Sequence, residues 1–186
     1  KGDKGYSPEL WRKIADLGWL GLLYPEKYVG TGSSLLDLAV LYEEMGRAIF
    51  PSPHLSTVVL CGLIIMDAGS EEQKAQYLPG IARGEIEFAL GYTEPEAGSD
   101  LASLEIRAVR DGDYYIMNGQ KVFNTACHYA QYHWLAARTD PTVPKHRGIS
   151  MFIVNLDSPG ITIRPLITMG KLRTNEVFYD DVKVPK

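Results

Sequence analysis

The chain has 186 residues, 45% of them hydrophobic and 23% charged, which is an ordinary soluble composition with room for one or two domains. Its net charge of −4, without a dense run of Lys or Arg, argues against nucleic acid as the main partner. The longest apolar run, residues 57–66, is too short to span a bilayer. Two cysteines and scattered histidines predict no metal site and a reducing, cytoplasmic-type compartment.

The first half of the chain has helical patterns. Ser7-Pro8 is a typical helix start, Pro51 would end a second helix, and Gly69 would end a third. The run from 55 to 68 is apolar on most faces, which favours the centre of a bundle. The predicted helical stretches are 10–17, 38–49, 55–68 and 70–83, the last with a Ser70/Gln73 capping box.

From Ile86 onward the pattern changes to short runs of strand length. Asp111-Gly112 and Asn118-Gly119 are hairpin-turn signals, and Asp157 to Gly160 predicts another turn. Strand-like residues surround the first two turns, and strands are also predicted at 86–92, 132–137, 149–154, 161–164 and 177–184. Helices first and strands second predict two segregated domains, 1–85 and 86–186.

The stretch from Gly30 to Leu35 begins like a dinucleotide-binding fingerprint. It lacks the third glycine, and no clear strand–helix–strand unit surrounds it. We therefore favour a helix cap there. No Gly-x-Ser-x-Gly motif supports serine hydrolysis.

The most informative stretch runs from Thr93 to Asp100. Pro95 restricts the backbone, Gly98 permits close approach of another group, and Ser99 adds a hydroxyl. Such a turn suits an anionic or carbonyl-rich ligand. The alternative is a polar loop that joins a strand to the next element.

Together with residues 88–92, this turn resembles the flavin-binding signature of the acyl-CoA dehydrogenase family. A second matching segment runs from Asn118 to Thr125 at a fitting distance. The resemblance covers nearly the whole chain. Further matching segments are 17–22, 25–32, 42–47, 69–74 and 175–185.

The resemblance implies an all-α N-terminal domain followed by an antiparallel, β-barrel-like middle domain. It also implies that the family's C-terminal four-helix domain, which carries the catalytic glutamate, is absent from these residues. No residue here matches that base, so the catalytic residues stay unassigned. Glu94 and Glu96 lie near the turn but have no proton-abstraction role in the family, and this chain alone is expected to be inactive.

The resemblance implies FAD as the cofactor. It places Tyr92 and Thr93 near the pyrimidine edge of the flavin, Phe123 against the ring and Thr125 toward N5. The pyrophosphate would pass Gly98 and Ser99, and Ser99 would also lie near the substrate. The full set of expected cofactor-binding residues is Leu90, Tyr92, Thr93, Gly98, Ser99, Phe123, Asn124 and Thr125.

Three positions depart from the family pattern. Phe123 stands where Trp is commonest, Asn124 replaces an apolar residue, and Val29 interrupts a Tyr-Gly-Gly-Thr-Gly run. Lys171 and Arg173 are candidate partners for CoA phosphates, with a solvated basic pair as the alternative.

The implied function is α,β-desaturation of an acyl-CoA thioester with hydride transfer to flavin N5. A flavoprotein would accept the electrons, and the assembly would be a homodimer, a homotetramer or a hetero-oligomer. The compartment would be the cytoplasm, or the mitochondrial matrix in a eukaryote. The alternatives are a non-catalytic flavin- or CoA-binding subunit, and an acyl-CoA oxidase or flavin monooxygenase on the same scaffold.

Overall fold

A computed structural model describes residues 4–186 of the chain. The chain divides into two compact units, Lys1–Glu87 and Phe88–Lys186. The domain boundary predicted between residues 85 and 86 lies two residues before this division. Within the described residues, no helix has the length and apolar character needed to cross a lipid bilayer.

The first unit is helical, as predicted, and its described residues form no strand. Two short 3-10 turns, Trp19–Gly21 and Glu26–Tyr28, separate the first two helices. The helices are α1 (Pro8–Asp16), α2 (Leu35–Arg47), a π-helical segment (Leu55–Gly62) that continues into α3 (Leu63–Ala68), and α4 (Glu71–Ala82).

Side-chain caps fix where these helices begin. Ser34 accepts from the Asp37 amide while Asp37 accepts from the Ser34 amide, which is a complete capping box at the start of α2. The glycine-containing stretch 30–35 therefore leads into a capped helix and not into a dinucleotide site. Ser70 and Gln73 form the same device at α4, as predicted.

The apolar run 55–68 buries only one of its faces within this unit. Val58, Cys61 and Ile65 are buried, whereas Leu60 and Ile64 are 37% and 41% exposed. The Tyr24 hydroxyl donates to the Val58 carbonyl at 2.9 Å and anchors the π-helical segment. The expectation of a helix buried on most faces is therefore wrong for the unit taken by itself.

The helical stretch predicted over 38–49 also extends too far. Leu38 is buried, but Ile49 is 86% exposed. The reason is that α2 ends at Arg47, so Ile49 lies beyond the helix in a left-handed conformation (φ 46°).

The second unit is a curled, mixed β-sheet of seven strands in the order β1-β4-β2-β3-β7-β6, with β5 paired to β4. The strands are β1 (Phe88–Gly91), β2 (Arg107–Asp111), β3 (Tyr114–Lys121), β4 (Tyr132–Arg138), β5 (Ile149–Asn155), β6 (Ile161–Ile167) and β7 (Arg173–Pro185). Antiparallel pairing, as expected, joins β2 to β3, β3 to β7, β4 to β5 and β6 to β7. The pairings of β4 with β1 and β2 are parallel, a feature that the sequence did not indicate.

One predicted hairpin turn is wrong. The signal at Asp111-Gly112 does mark the turn from β2 to β3, which is Gly112-Asp113 because Asp111 pairs with Tyr114, but Asn118-Gly119 lies inside β3. The register against β7 shifts between Met117 and Gly119, which marks a β-bulge. The Asn118 side chain pairs there with Asp181 of β7 through two hydrogen bonds of 2.9 Å.

The core of this unit is formed by residues that face inward from the curled sheet. Strand β4 supplies five consecutive buried positions, and because successive side chains point to opposite faces, both of its faces are covered. Core residues that are at most 1% exposed include Leu104, Ala108, Met117, Leu135, Val154, Val177 and Val182.

Candidate functional site

The first site segment follows β1 and reverses direction within four residues. The Glu94 amide donates to the Ala97 carbonyl at 2.9 Å, and the Ala97 amide donates back to the Glu94 carbonyl at 3.2 Å. Pro95 and Glu96 form the tip of this reversal because a proline at the first central position suits a tight turn. The chain then continues through Gly98 to Asp100, which are all exposed.

The second segment begins where β3 ends, and it runs directly beside the first. The Val122 amide donates to the Thr93 carbonyl at 2.9 Å. The Asn124 side chain donates to the Leu90 carbonyl at 3.1 Å. Two stretches about thirty positions apart in the sequence are therefore neighbours in the fold.

A buried ion pair joins these two segments. Lys121 is 0% exposed, and its Nζ donates to the Tyr92 carbonyl and to Glu94 Oε1, both at 2.9 Å. The Glu94 carboxylate also accepts from the amides of Glu105 (2.6 Å) and Ile106 (3.1 Å). Burial lowers the pKa of Lys121, and the neighbouring Glu94 opposes that effect.

Phe123 and Thr125 lie at the exposed end of the second segment. Phe123 adopts a left-handed backbone conformation (φ 58°), and 65% of it is exposed. The Thr125 amide donates to the Phe123 carbonyl at 3.1 Å. An aromatic ring and a hydroxyl group are thus presented next to each other; the Thr125 hydroxyl is 3.3 Å from that of Thr174.

Asn124, between them, points inward. Its Nδ2 donates to the carbonyls of Leu90 and Val122, both at 3.1 Å. Its Oδ1 is buried and has no hydrogen-bond partner among the described residues. The Asn124 amide and carbonyl pair with Asn175 of β7 at 2.9 and 2.8 Å, so β7 fixes this segment from the other side.

A second polar cluster lies in the interior of the same unit. His133 of β4 is fully buried; its Nδ1 pairs with the Tyr179 hydroxyl, and its Nε2 lies 3.5 Å from Cys127 Sγ. Burial lowers the pKa of His133 to about 3, and burial also raises the pKa of Tyr179 and of the Cys127 thiol. This cluster holds a neutral imidazole at all physiological pH values.

Six of the eight expected cofactor-binding residues lie in two segments that hydrogen bonds hold together. Gly98 and Ser99 follow the reversal on the exposed side. Of the two candidate phosphate ligands, Arg173 donates from Nε to Asn175 Oδ1 at 2.9 Å, while Lys171 is exposed in the β6–β7 connection. Across residues 4–186, no cluster of His, Cys, Asp or Glu could hold a metal ion.

Sequence reasoning missed the Lys121–Glu94 pair and the role of Asn175. The signal was present, since each of the two matched segments contains one residue of the pair. A charged residue at the end of a strand is normally exposed to solvent. No local sequence pattern shows that the side chains of Lys121 and Glu94 meet in the interior.

The chain matches two family profiles in order. Residues 2–85 match the acyl-CoA dehydrogenase N-terminal domain, and residues 89–182 match the acyl-CoA dehydrogenase middle domain. The chain belongs to the acyl-CoA dehydrogenase family. The helical unit is thus the family's N-terminal domain and the mixed sheet its middle domain.

Curated acyl-CoA dehydrogenases of Mycobacterium tuberculosis are similar over almost the whole chain. FadE29 is 47% identical over 175 residues, which are 94% of this chain and 45% of FadE29. FadE26 is 44% identical over 191 aligned positions, which cover 100% of this chain and 48% of FadE26. The chain therefore spans about half the length of these curated relatives.

Solved acyl-CoA dehydrogenase structures share the fold. The "Tcur3481-Tcur3483 steroid ACAD" aligns with a TM-score of 0.90 and 44% identity, covering 98% of this chain and 48% of that one. The ChsE4-ChsE5 complex from Mycobacterium tuberculosis aligns with a TM-score of 0.88 and 44% identity, and the alignment covers 95% of this chain and 46% of that one. The second of these is a complex by its description.

The residues of the site fit a flavin. A planar ring needs an apolar wall, which the exposed Phe123 offers, and donors at its edge, which Thr93 and Thr125 carry. A Cβ built on Gly98 meets no atom within 4 Å, so the backbone there is open to a bulky group. The unpartnered buried Oδ1 of Asn124 adds an acceptor in the same segment.

Proposed function

We propose that this chain supplies the flavin-binding half of an FAD-dependent acyl-CoA dehydrogenase. The observation that carries the proposal is the pairing of the segments 90–99 and 121–125 by the Val122–Thr93, Lys121–Tyr92 and Asn124–Leu90 hydrogen bonds. This pairing gathers an aromatic face, two threonine hydroxyls and an open glycine backbone. Family membership supports FAD as the ligand that uses them.

The residues have distinct tasks in this proposal. Bound FAD supplies the two-electron acceptor for removal of hydrogen from the α and β carbons of a CoA thioester. Phe123 would cover the ring, and Thr93 with Thr125 would donate hydrogen bonds to its polar edge and so stabilise negative charge there. The exposed backbone at Gly98 and Ser99 is assigned to the pyrophosphate because free amide groups bind anions.

Glu94 is not the base that takes the α proton. Its two carboxylate oxygens are buried and already accept from Lys121 and from two backbone amides. A general base must reach the substrate proton, directly or through one water. We assign the base to the part of the protein that corresponds to the remaining half of its relatives.

The relatives suggest a substrate class. Because a steroid ACAD aligns at 44% identity over 98% of the chain, we propose a bulky steroid CoA thioester as substrate and a separate flavoprotein as electron acceptor. Acyl-CoA oxidation by molecular oxygen on the same scaffold is the competing reaction. Peroxide formation during aerobic turnover would favour the oxidase.

A second candidate is a subunit that is active only with a different partner chain. Both solved relatives named above carry two protein names in their descriptions, which favours a hetero-oligomer over a homodimer or homotetramer. Activity that appears only when two gene products are expressed together would support this arrangement. Full activity from one gene product would reject it.

The test of the proposed function is spectroscopic. The whole protein, purified from its natural gene with any required partner, should show the visible absorbance of an oxidised flavin. Anaerobic addition of a steroid CoA thioester should bleach that absorbance. The proposal is contradicted if the protein has no visible absorbance after FAD has been added and the unbound FAD removed.

A further inference from the structure

Lys121 occupies an unusual position for a lysine. It lies at the end of β3, and none of its surface is exposed. Removing a charged amine from water is unfavourable even when a partner neutralises it, and a well-packed apolar side chain is often equally stabilising at such a place. The position of Lys121 therefore calls for an explanation beyond overall stability.

The hydrogen bonds of Lys121 show what it connects. Its Nζ reaches the Tyr92 carbonyl just after β1 and the Glu94 carboxylate at the start of the reversal. Through Glu94 the connection extends to the amides of Glu105 and Ile106, which precede β2. One ion pair thus fixes two chain segments, residues 92–94 and 105–106, relative to the end of β3.

These contacts act on the backbone that the proposed function assigns to the flavin. Tyr92 and Thr93 are the expected neighbours of the pyrimidine edge, and Lys121 holds the carbonyl between them. The Val122 amide, next to Lys121, holds the Thr93 carbonyl at 2.9 Å. Neither charged side chain is exposed enough to bind the cofactor itself, as Lys121 is 0% and Glu94 6% exposed.

We propose that Lys121 and Glu94 form a positioning pair that presets the Tyr92–Thr93 backbone for the flavin ring. This inference rests on the proposed function. The pair acts through the backbone and makes no contact with FAD. Its role is pre-organisation: the apoprotein already holds the reversal in the shape that the cofactor requires.

The test uses the whole protein and compares Lys121→Met with Glu94→Gln. Both variants keep the approximate shape and remove one charge. We expect FAD affinity to fall about tenfold or more, the scale of a lost hydrogen bond to a charged group. We also expect a shifted flavin absorption maximum and reduction potential, and faster hydrogen exchange at the Ala97 amide in the apoprotein.

Two exposed residues provide matched controls. Glu96→Gln changes the neighbouring carboxylate at the tip of the reversal, and Lys183→Met changes an exposed lysine of β7. Both should keep the FAD affinity, spectrum and potential of the unmodified protein. If Lys121→Met does not fold, Glu94→Gln and the hydrogen-exchange measurement decide the question.

The outcomes separate this inference from the proposed function. An unmodified protein that binds FAD, with Lys121→Met and Glu94→Gln variants of unchanged affinity, spectrum and potential, overturns the positioning role and leaves the flavin site intact. Variants that unfold more easily but keep those flavin properties assign the pair to stability alone and also overturn it. An unmodified protein that binds no FAD overturns both.

Discussion

Val29 shows how one residue can depart from a pattern at a measurable cost. It follows the 3-10 turn Glu26–Tyr28 in a left-handed conformation (φ 65°), and its side chain is 52% exposed. A β-branched residue disfavours this conformation, whereas glycine adopts it freely. The departure noted in the sequence, a valine where the family has glycine, therefore has a physical consequence.

We predict that Val29→Gly stabilises the protein. The strain energy that is relieved at the left-handed position exceeds the free-energy cost of the conformational entropy that glycine loses on folding. We expect a net gain of about 1 kcal/mol in the free energy of unfolding. Chemical denaturation measures it. Val40→Gly, an equally exposed valine inside α2, is the control and should destabilise instead. A loss of stability in Val29→Gly would contradict the strain argument.

Phe123 allows cofactor binding to be separated from folding. Because 65% of the residue is exposed, Phe123→Ala should leave the stability of the apoprotein nearly unchanged. Its FAD affinity should fall about tenfold, since a stacked aromatic contact is lost. Equilibrium titration with FAD measures this, and Phe123→Trp should retain the affinity. Equal FAD affinity in Phe123→Ala and the unmodified protein would remove Phe123 from the site.

At the scale of elements, local signals predicted the boundaries that local interactions determine. The capping box at Ser70 joins residues three apart and was predicted; for residues 30–35 the sequence predicted a helix cap, and Ser34 with Asp37 forms one. Asn118-Gly119 could not be interpreted correctly, because the same two residues can form a turn or can lie within a strand beside a bulge. Pairing with β7 decides between the two, and no local pattern encodes that pairing.

The bulge lies in β7, which advances three residues where β3 advances two, and the β3 position beside it requires a glycine. Gly119 has φ 148°, and a Cβ there would lie 2.8 Å from Ile106 Cγ1 and 2.9 Å from Ile106 Cα. We predict that Gly119→Ala destabilises the protein by about 2–4 kcal/mol, because strain and overpacking add. Gly112→Ala, at φ 60° with no atom within 4 Å, is the control and should cost about 1 kcal/mol. Denaturation measures both variants, and an equal loss of unfolding free energy in Gly119→Ala and Gly112→Ala would contradict the strain and overpacking argument.

The buried His133 on β4 predicts a pH dependence of stability. Its pKa falls from 6.5 to about 3 on folding, so the unfolded chain binds a proton below pH 6.5 that the folded chain does not. Stability due to this residue is therefore complete above pH 6.5 and is lost as the pH falls toward 3, by about 2 kcal/mol at pH 5. The buried His54, whose pKa burial also lowers, contributes in the same direction.

Denaturation at several pH values checks this prediction. His133→Gln should reduce the slope of the unfolding free energy against pH between 6.5 and 5 by close to one proton. An unaltered slope in His133→Gln would show that His133 can be protonated in the folded protein.

At the scale of the whole molecule, the order of helices before strands was sufficient to predict two separate domains. The parallel pairing of β1 with β4 was not predictable, because the two strands are far apart in the sequence. Their residue patterns do not indicate whether they pair in a parallel or an antiparallel direction. The resemblance named the two proposed flavin segments and placed both at one cofactor, but it did not indicate the contacts that hold them together. The Lys121–Glu94 pair, which joins the segments, and the contact of Asn175 with Asn124, which fixes the second segment to β7, arise only in the folded sheet.

The relatives are longer than the N-terminal and middle domains that this chain matches. It spans about half of FadE29 and of the steroid ACAD, and the middle domain presents its proposed flavin residues without a base among them. In the proposed function the cofactor is held here, and the α proton is taken elsewhere in the assembly.

An experimental structure of the whole protein with FAD tests the central claim most directly. We expect the isoalloxazine ring against Phe123, with Thr125 and the backbone of Tyr92 and Thr93 within hydrogen-bond distance of its edge, and the pyrophosphate beside Gly98 and Ser99. A flavin bound away from both segments would contradict the account.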